Sequence, residues 1–237
     1  AARAVHVVPG LARGDRLGGG DAFARLPADP RAGALAIDAP DATRWLAAAR
    51  RSASPRFGWD PAYDALAGPL VDHGDRRPWI AVHASTETAQ HYNYVKDWPA
   101  DAWRTLFSET AVRHDVRFVR LVEGGLTAMT EQHVIDLRGR TGFLALLALV
   151  RTRCTALVAP DGGILNAVYF LDAEFPITVV SLWSDPRQGL LKARSRSPNP
   201  RLVHVPLVGA GNDVRGIAPA DVLAALELAI VPREGSA

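Results

Sequence analysis

From Pro78 onward, short apolar runs alternate with longer segments whose apolar residues recur at helical spacing. "WIAVHA" (Trp79–Ala84) predicts a buried strand followed by a polar loop. "PADAWRTLFSETAVRH" places Trp103, Leu106, Phe107 and Val112 on a helical repeat, with Pro99 and Asp101 at its start. "VRFVRLV" (Val116–Val122) alternates as a strand does, and "HVIDLRG" ends another short one. "TGFLALLALVR" predicts a helix capped by Thr141, whose hydroxyl suits an N-cap. Then come a strand at "TALVA", a helix at "GILNAVYFLD", a strand at "ITVVSLW" (Ile177–Trp183), a further strand at "RLVHVPL", and a closing helix begun near Pro219. Strands alternating with helices of about ten residues predict a Rossmann-like parallel sheet covered on both faces. "TALVA" is apolar without alternation, which places it in the middle of that sheet. The interval between Val122 and Val134 is short for a parallel crossover, which implies a tight loop or a missing piece.

Residues 1–77 follow another pattern. They are rich in Gly, Pro, Arg and Ala, with two helical stretches, "DATRWLAAARR" and "DPAYDALAGPLVDH", and brief strand candidates at Val5–Val8 and Ala34–Ile37. The expected organisation is a partial amino-terminal region and linker over 1–77, a Rossmann-like domain over 78–232 and a tail over 233–237. No internal repeat is visible.

Composition changes this picture little. A net charge of +2 over 237 residues gives no ground for wholesale nucleic-acid binding. The 25 arginines against 2 lysines are read mainly as base composition. The single cysteine, Cys154, rules out a disulfide framework and a multi-cysteine metal site, and reads as a small core residue. Without a signal-peptide core or an apolar run of about 18 residues, the expected location is cytoplasmic, with peripheral attachment at the inner membrane face as a variant.

In an open parallel sheet, ligands bind outside the carboxyl ends of the strands, so the loops there carry the candidate chemistry. After "TALVA" come Asp161, Gly162 and Gly163. The bare glycines let a ligand reach the backbone, and the following helix start offers N–H groups to a phosphate. The alternative is a tight turn with Asp161 as N-cap. After the first strand, Ser85, Thr86 and Thr88 supply hydroxyls and Lys96 a cation, a set that fits a diphosphate or a solvated loop. His83 and His91 share this loop without metal-ligand spacing. After Trp183, Arg187 and Lys192 are candidate anion contacts in an otherwise exposed basic loop.

Taken together, "IAVHAST…VKDWP", "DLRGRTGFLALLALVRTRCTALVAPDGGILNA" and "ITVVSLWSDPR" resemble the carboxyl-terminal half of the heptosyltransferases, nucleotide-sugar-dependent enzymes of glycosyltransferase family 9 and the GT-B architecture. Lys96, Trp98 and Pro99 match the family's Lys-x-Trp-Pro element, whose Lys contacts the donor phosphates. Ser85 and Thr86 fall where its hydroxyl-bearing phosphate loop lies. Asp136, Leu137, Gly139 and Thr141 match an Asp-Leu-x-Gly-x-Thr segment, and Asp161 and Gly163 match the donor-site turn. Departures accompany the match. Gly162 replaces a hydroxyl residue, Asn166 stands where the family has His, and His83–Ser85 replaces His-Pro-Gly.

The resemblance implies a sugar transferase acting on a nucleotide-diphosphate sugar, heptose-like, without a metal or further cofactor. Lys96 and Asp161 would be its catalytic residues, with Ser85, Thr86, Lys96, Asp161, Gly162, Gly163 and Asn166 at the donor. The acceptor would be a carbohydrate, lipid-linked or protein hydroxyl. Residues 1–77 are too short for a whole GT-B acceptor domain, so the base that deprotonates the acceptor would come from a missing amino-terminal domain or a second chain. The competing readings are a non-catalytic scaffold or regulatory subunit of the same fold, and another nucleotide-dependent enzyme of that architecture, such as a sugar epimerase.

Overall fold

The computed structural model describes residues 56–71, 74–84, 95–121, 133–193 and 196–230. The chain divides into two compact units, Ala1–Arg56 and Phe57–Ala237. The helix and strand candidates before residue 56, and the interval between Val122 and Val134, lie outside the described residues apart from His133.

Six parallel strands form the sheet: β2 (Trp79–Val82), β3 (Arg117–Arg120), β4 (Val134–Asp136), β5 (Cys154–Pro160), β7 (Ile177–Trp183) and β8 (Leu202–Val208), in the order β4-β3-β2-β5-β7-β8. β5, which contains "TALVA", is central. The absence of polar alternation has a simple cause: each strand divides its apolar residues between two cores. Trp79, Ala81, Leu157, Ala159, Val179 and Trp183 face one core, where helices α2 (Phe143–Arg153) and α3 (Gly163–Tyr169) pack. Ile80, Val82, Ala156, Val158, Val180 and Leu182 face the other, under α1 (Ala100–Arg113) and α5 (Pro219–Ile230). A short helix, α4 (Gly189–Ala193), follows β7. On α1, Trp103, Leu106 and Phe107 are essentially fully buried, and burying a side chain of this kind contributes about 1.5–3 kcal/mol. The frame that holds the loops is therefore stiff.

Several local expectations change. Thr141 does not cap α2: Gly142 occupies that position, no side chain bonds there, and the Thr141 hydroxyl is buried without a hydrogen-bond partner. α3 ends at Tyr169, so Leu171–Asp172 is not helical. Those two residues instead form β6, which pairs in parallel with β1 (Phe57–Gly58), and Phe57 N–H bonds to Phe170 O at 2.7 Å. "PAYDALAGPL" is a 3-10 helix over Pro61–Leu70. Pro69 lacks the N–H an α pattern would use there, while Pro61 suits the first position and Asp60 caps the start. This helix packs on α2, and Arg151 forms an ion pair with Asp64.

β3 carries no solvent-facing alternation either, since Phe118 and Val119 enter opposite cores. Its Arg120 is 2% exposed and lies 3.7 Å from the Asp136 carboxylate, which Arg138 also grips through its Nε and Nη2. Bonds from Arg138 hold the Asp136 carboxyl below the usual carboxylate range, against the opposing effect of burial. At the opposite end of the strands, Asp75 accepts from Arg77 and Arg117, while Arg153 bonds the carbonyls of Asp75 and Arg77 and stacks over Trp79. Cys154 is buried, and burial pushes its thiol up to about 12, so it is an inert core residue. Among the described residues no helix is long and apolar enough to cross a membrane.

Candidate functional site

From β2 the chain moves outward through β3 to β4, then returns to the other side of β2 with β5 and continues through β7 to β8. The direction reverses between β2 and β5. At such a switch point the loops leave in opposite directions and open a crevice at the carboxyl ends of the two strands. The residues at that place are His83 and Ala84 after β2, and Asp161, Gly162 and Gly163 after β5. His83 N–H still bonds to Val158 O at 3.0 Å, so the two strand ends are locked together at the crevice floor.

Lys96 reaches this floor from the loop that links β2 to α1. Its Nζ lies 3.3 Å from Asp161 Oδ2 and 3.5 Å from Asp161 O. The two side chains are only 17% and 18% exposed, so the pair sits in a partly dry setting where its charges are less screened than on an open surface. The carboxylate thus faces a cation and does not cap α3. The N-cap position belongs to Gly162, in extended backbone, with no side chain bonding to the first turn.

Gly163 opens α3, and a methyl group built on it would meet nothing within 4 Å. Among the described residues that space is clear. Gly189 is the reverse case. Its φ is +45°, and an added Cβ would lie 2.6 Å from the Trp183 ring and 3.0 Å from Asp161 Oδ1. The start of α4 is therefore pressed onto Trp183 and against the Asp161 carboxylate, and only glycine fits there.

The predicted residues divide into three groups. Lys96, Asp161, Gly162 and Gly163 come together at the crevice. Asn166 lies one turn into α3, but its Nδ2 donates to Gly162 O at 2.9 Å, so its amide braces the turn from within. Arg187 is engaged by Asp185, with Nε at 2.9 and 3.1 Å and Nη2 at 2.6 Å, on a side chain that is largely exposed. Those bonds lower the Asp185 carboxyl to about 2. Ser85, Thr86, Thr88 and His91 lie outside the described residues, as does the side chain of Lys192. Sequence reasoning missed Trp183, Gly189 and Ser184 as parts of the site's surroundings. Only the position of Ser184 directly after a strand end hinted at it.

Chemically, the crevice offers one ammonium, one carboxylate and bare backbone. An ammonium binds a phosphate as a point charge, a carboxylate accepts from hydroxyls, and two adjacent glycines let a bulky anion approach. Among the described residues no three His, Cys, Asp or Glu side chains are grouped to hold a metal ion.

Neither a protein-family model nor a curated protein sequence matches this chain. Solved structures do. The E. coli ADP-heptose LPS heptosyltransferase II superposes with a TM-score of 0.52 at 16% identity, covering 76% of this chain and 55% of that one. The E. coli heptosyltransferase WaaC with ADP-2-deoxy-2-fluoro heptose gives 0.47 at 15% identity, covering 71% and 48%. The chain therefore spans about half the length of these proteins. The first match establishes a shared fold, the α/β architecture of the GT-B heptosyltransferases, and the second is too loose to add to it.

Proposed function

We propose that this chain carries the donor-binding domain of a glycosyltransferase. It would pass a heptose-like sugar from a nucleotide-diphosphate sugar to an acceptor hydroxyl, without a metal. The observation that carries the reading is the Lys96–Asp161 pair at the switch-point crevice, beside the open space at Gly163. A shared fold with a heptosyltransferase supports it.

In this reading the donor diphosphate lies against Gly162 and Gly163, and Lys96 turns from Asp161 toward a phosphate oxygen. Lys96 then stabilises the negative charge that grows as the sugar–phosphate bond breaks, an effect that is strongest in a water-poor site. Asp161 accepts from a donor hydroxyl and so fixes the sugar or ribose. Ser85 and Thr86 add hydroxyls from the β2 loop. The acceptor, a carbohydrate, lipid-linked or protein hydroxyl, is deprotonated by a base from a further domain or a second chain.

One observation favours a second reading, a scaffold of the same fold that transfers nothing. The position where the heptosyltransferase pattern has His is Asn166, and its amide is spent on Gly162 O. A thermal-shift panel of nucleoside diphosphates and nucleotide sugars tests both. Ligand at a hundred times its dissociation constant raises stability by about 2.7 kcal/mol. Silence across the panel removes the donor-binding reading. Binding without sugar transfer to any acceptor, in the presence of a complete acceptor domain, selects the scaffold.

A further inference from the structure

We propose that Ser184 is a positioning residue for Lys96, acting through a buckle made by the connection between β8 and α5. The proposal rests on the donor-binding reading for its functional consequence, though not for its geometry.

Ser184 directly follows β7 and is 3% exposed. Its hydroxyl donates to the carbonyl of Val95, the residue before Lys96, and accepts from Val214 N–H at 3.1 Å. On the far side of Lys96, the buried Trp98 donates its Nε1–H to Ile217 O at 3.0 Å. Val214 and Ile217 bracket one 3-10 turn, Val214–Gly216, closed by a bond from Ile217 N–H to Val214 O and capped by the Asp213 side chain. The turn thus holds the chain two residues after Lys96 directly, through Ile217 O, and one residue before it through Ser184.

The turn is itself held in place. Gly209 N–H bonds to Trp183 O at 2.9 Å, beside Ser184. A Cβ on Gly209 would lie 1.7 Å from Asp213 O, so the backbone passes closer there than any other residue allows. Ser184 stands where the end of β7, the 3-10 turn and the Val95–Trp98 segment meet.

The physical consequence concerns a long side chain. Lysine loses rotamer freedom when its ammonium is fixed, so a floating backbone would add its own ordering cost to each binding event. Anchoring the backbone on both sides removes that added cost and sets the range its Nζ can reach. The ammonium lies at the Asp161 carboxylate with its anchors in place. Without the Ser184 hydroxyl, Val95 O loses its donor and Val214 N–H its acceptor, and the near anchor is released.

Lysines are so scarce here that positioning can be read directly. The full chain has only Lys96 and Lys192. Limited acylation followed by mass spectrometry therefore reports Lys96, with Lys192 as the internal reference. Ser184→Ala is expected to speed Lys96 acylation about fivefold relative to Lys192, and Ser184→Thr to return it to within about twofold of the parent. Calorimetry with ADP, GDP, UDP and CDP reads the consequence. Affinity for whichever nucleotide the parent binds is expected to fall about tenfold in Ser184→Ala, and that loss should vanish in a Lys96→Ala background, since residues acting as a unit are not additive. Unchanged Lys96 acylation in Ser184→Ala overturns the proposal, as does a tenfold loss that persists undiminished without Lys96. Faster Lys96 acylation in Ser184→Ala, with a parent that binds none of the four nucleotides, upholds the positioning role and removes the donor-binding reading. Should Ser184→Ala fail to fold, Trp98→Phe cuts the other anchor, and the same acceleration of Lys96 is expected.

Discussion

Gly163→Ala separates a ligand-binding turn from a merely structural one. The substitution adds one methyl group at the first residue of α3, where nothing lies within 4 Å of the new atom and the backbone is not in the left-handed region. Nothing among the described residues resists it. Alanine in a helix is favoured over glycine by roughly 0.5–1 kcal/mol, and less at a terminal turn, so stability should hold or rise by up to about 1 kcal/mol. For a domain of this size that is a gain of up to about 2–4 °C in the melting midpoint. If a diphosphate lies against Gly162 and Gly163, the methyl group takes up space the anion needs. A loss of about tenfold in nucleotide affinity, or about 1.4 kcal/mol, should then accompany an unchanged or higher midpoint. The assay is calorimetric titration beside a thermal melt on the same preparation. A variant that binds nucleotide as tightly as the parent would refute the placement of the diphosphate. A variant that loses affinity only in step with stability would refute the claim that the space is reserved.

The other expectations follow from the same geometry. On the donor-binding reading, Lys96→Ala should cost about 1–3 kcal/mol of stability, since it leaves the part-buried Asp161 carboxylate without its cation, and weaken nucleotide binding well beyond that loss, while Asp161→Asn should keep the fold and impair transfer; a denaturation midpoint, calorimetry and a transfer assay check these. Gly189→Ala should destabilise by about 1–3 kcal/mol, because its φ of +45° and the Trp183 ring at 2.6 Å both oppose a Cβ; denaturant titration reads this, and an unchanged midpoint contradicts the packing described. Asp75 titrates below the usual carboxylate range: burial acts to raise it, but bonds and charge from Arg77 and the charge of Arg153 prevail. A lowered folded-state value gives stability that is present above the ordinary carboxylate pKa and lost as pH falls through the folded value. Asp75→Asn should therefore flatten the fall in stability below about pH 4, and an identical acid limb in the variant would show that Asp75 does not contribute to it.

The parallel sheet was legible because most of its strands are short, apolar and followed by a helical repeat, and both of its faces are buried. Local ends were not. Leu171 continues the apolar rhythm of α3, so periodicity extends the helix, while pairing with Phe57 takes Leu171 and Asp172 into a strand. Thr141 has the side chain of a cap and the wrong position by one residue. At the site, residue type was readable and partnership was not. A lysine in a polar loop looks the same whether it meets solvent or a carboxylate 65 positions away. Ser184 was still less visible, because a hydroxyl after a strand is common and its two partners come from distant loops. Arg187 looked available for an anion until Asp185, two residues earlier, proved to grip it.

The strand order also has a kinetic meaning. β2, β3 and β4 are neighbours in the chain and in the sheet, so that ladder can form from short-range encounters. The crevice requires β5 to dock on the other side of β2, a pairing that must close a long stretch of chain first, and such non-local steps are slow. Lys96 and Asp161 belong to opposite sides of that step. A refolding chain should accordingly regain much of its helical signal before Lys96 meets Asp161, and on the donor-binding reading a nucleotide bound there would hold that seam of the sheet closed.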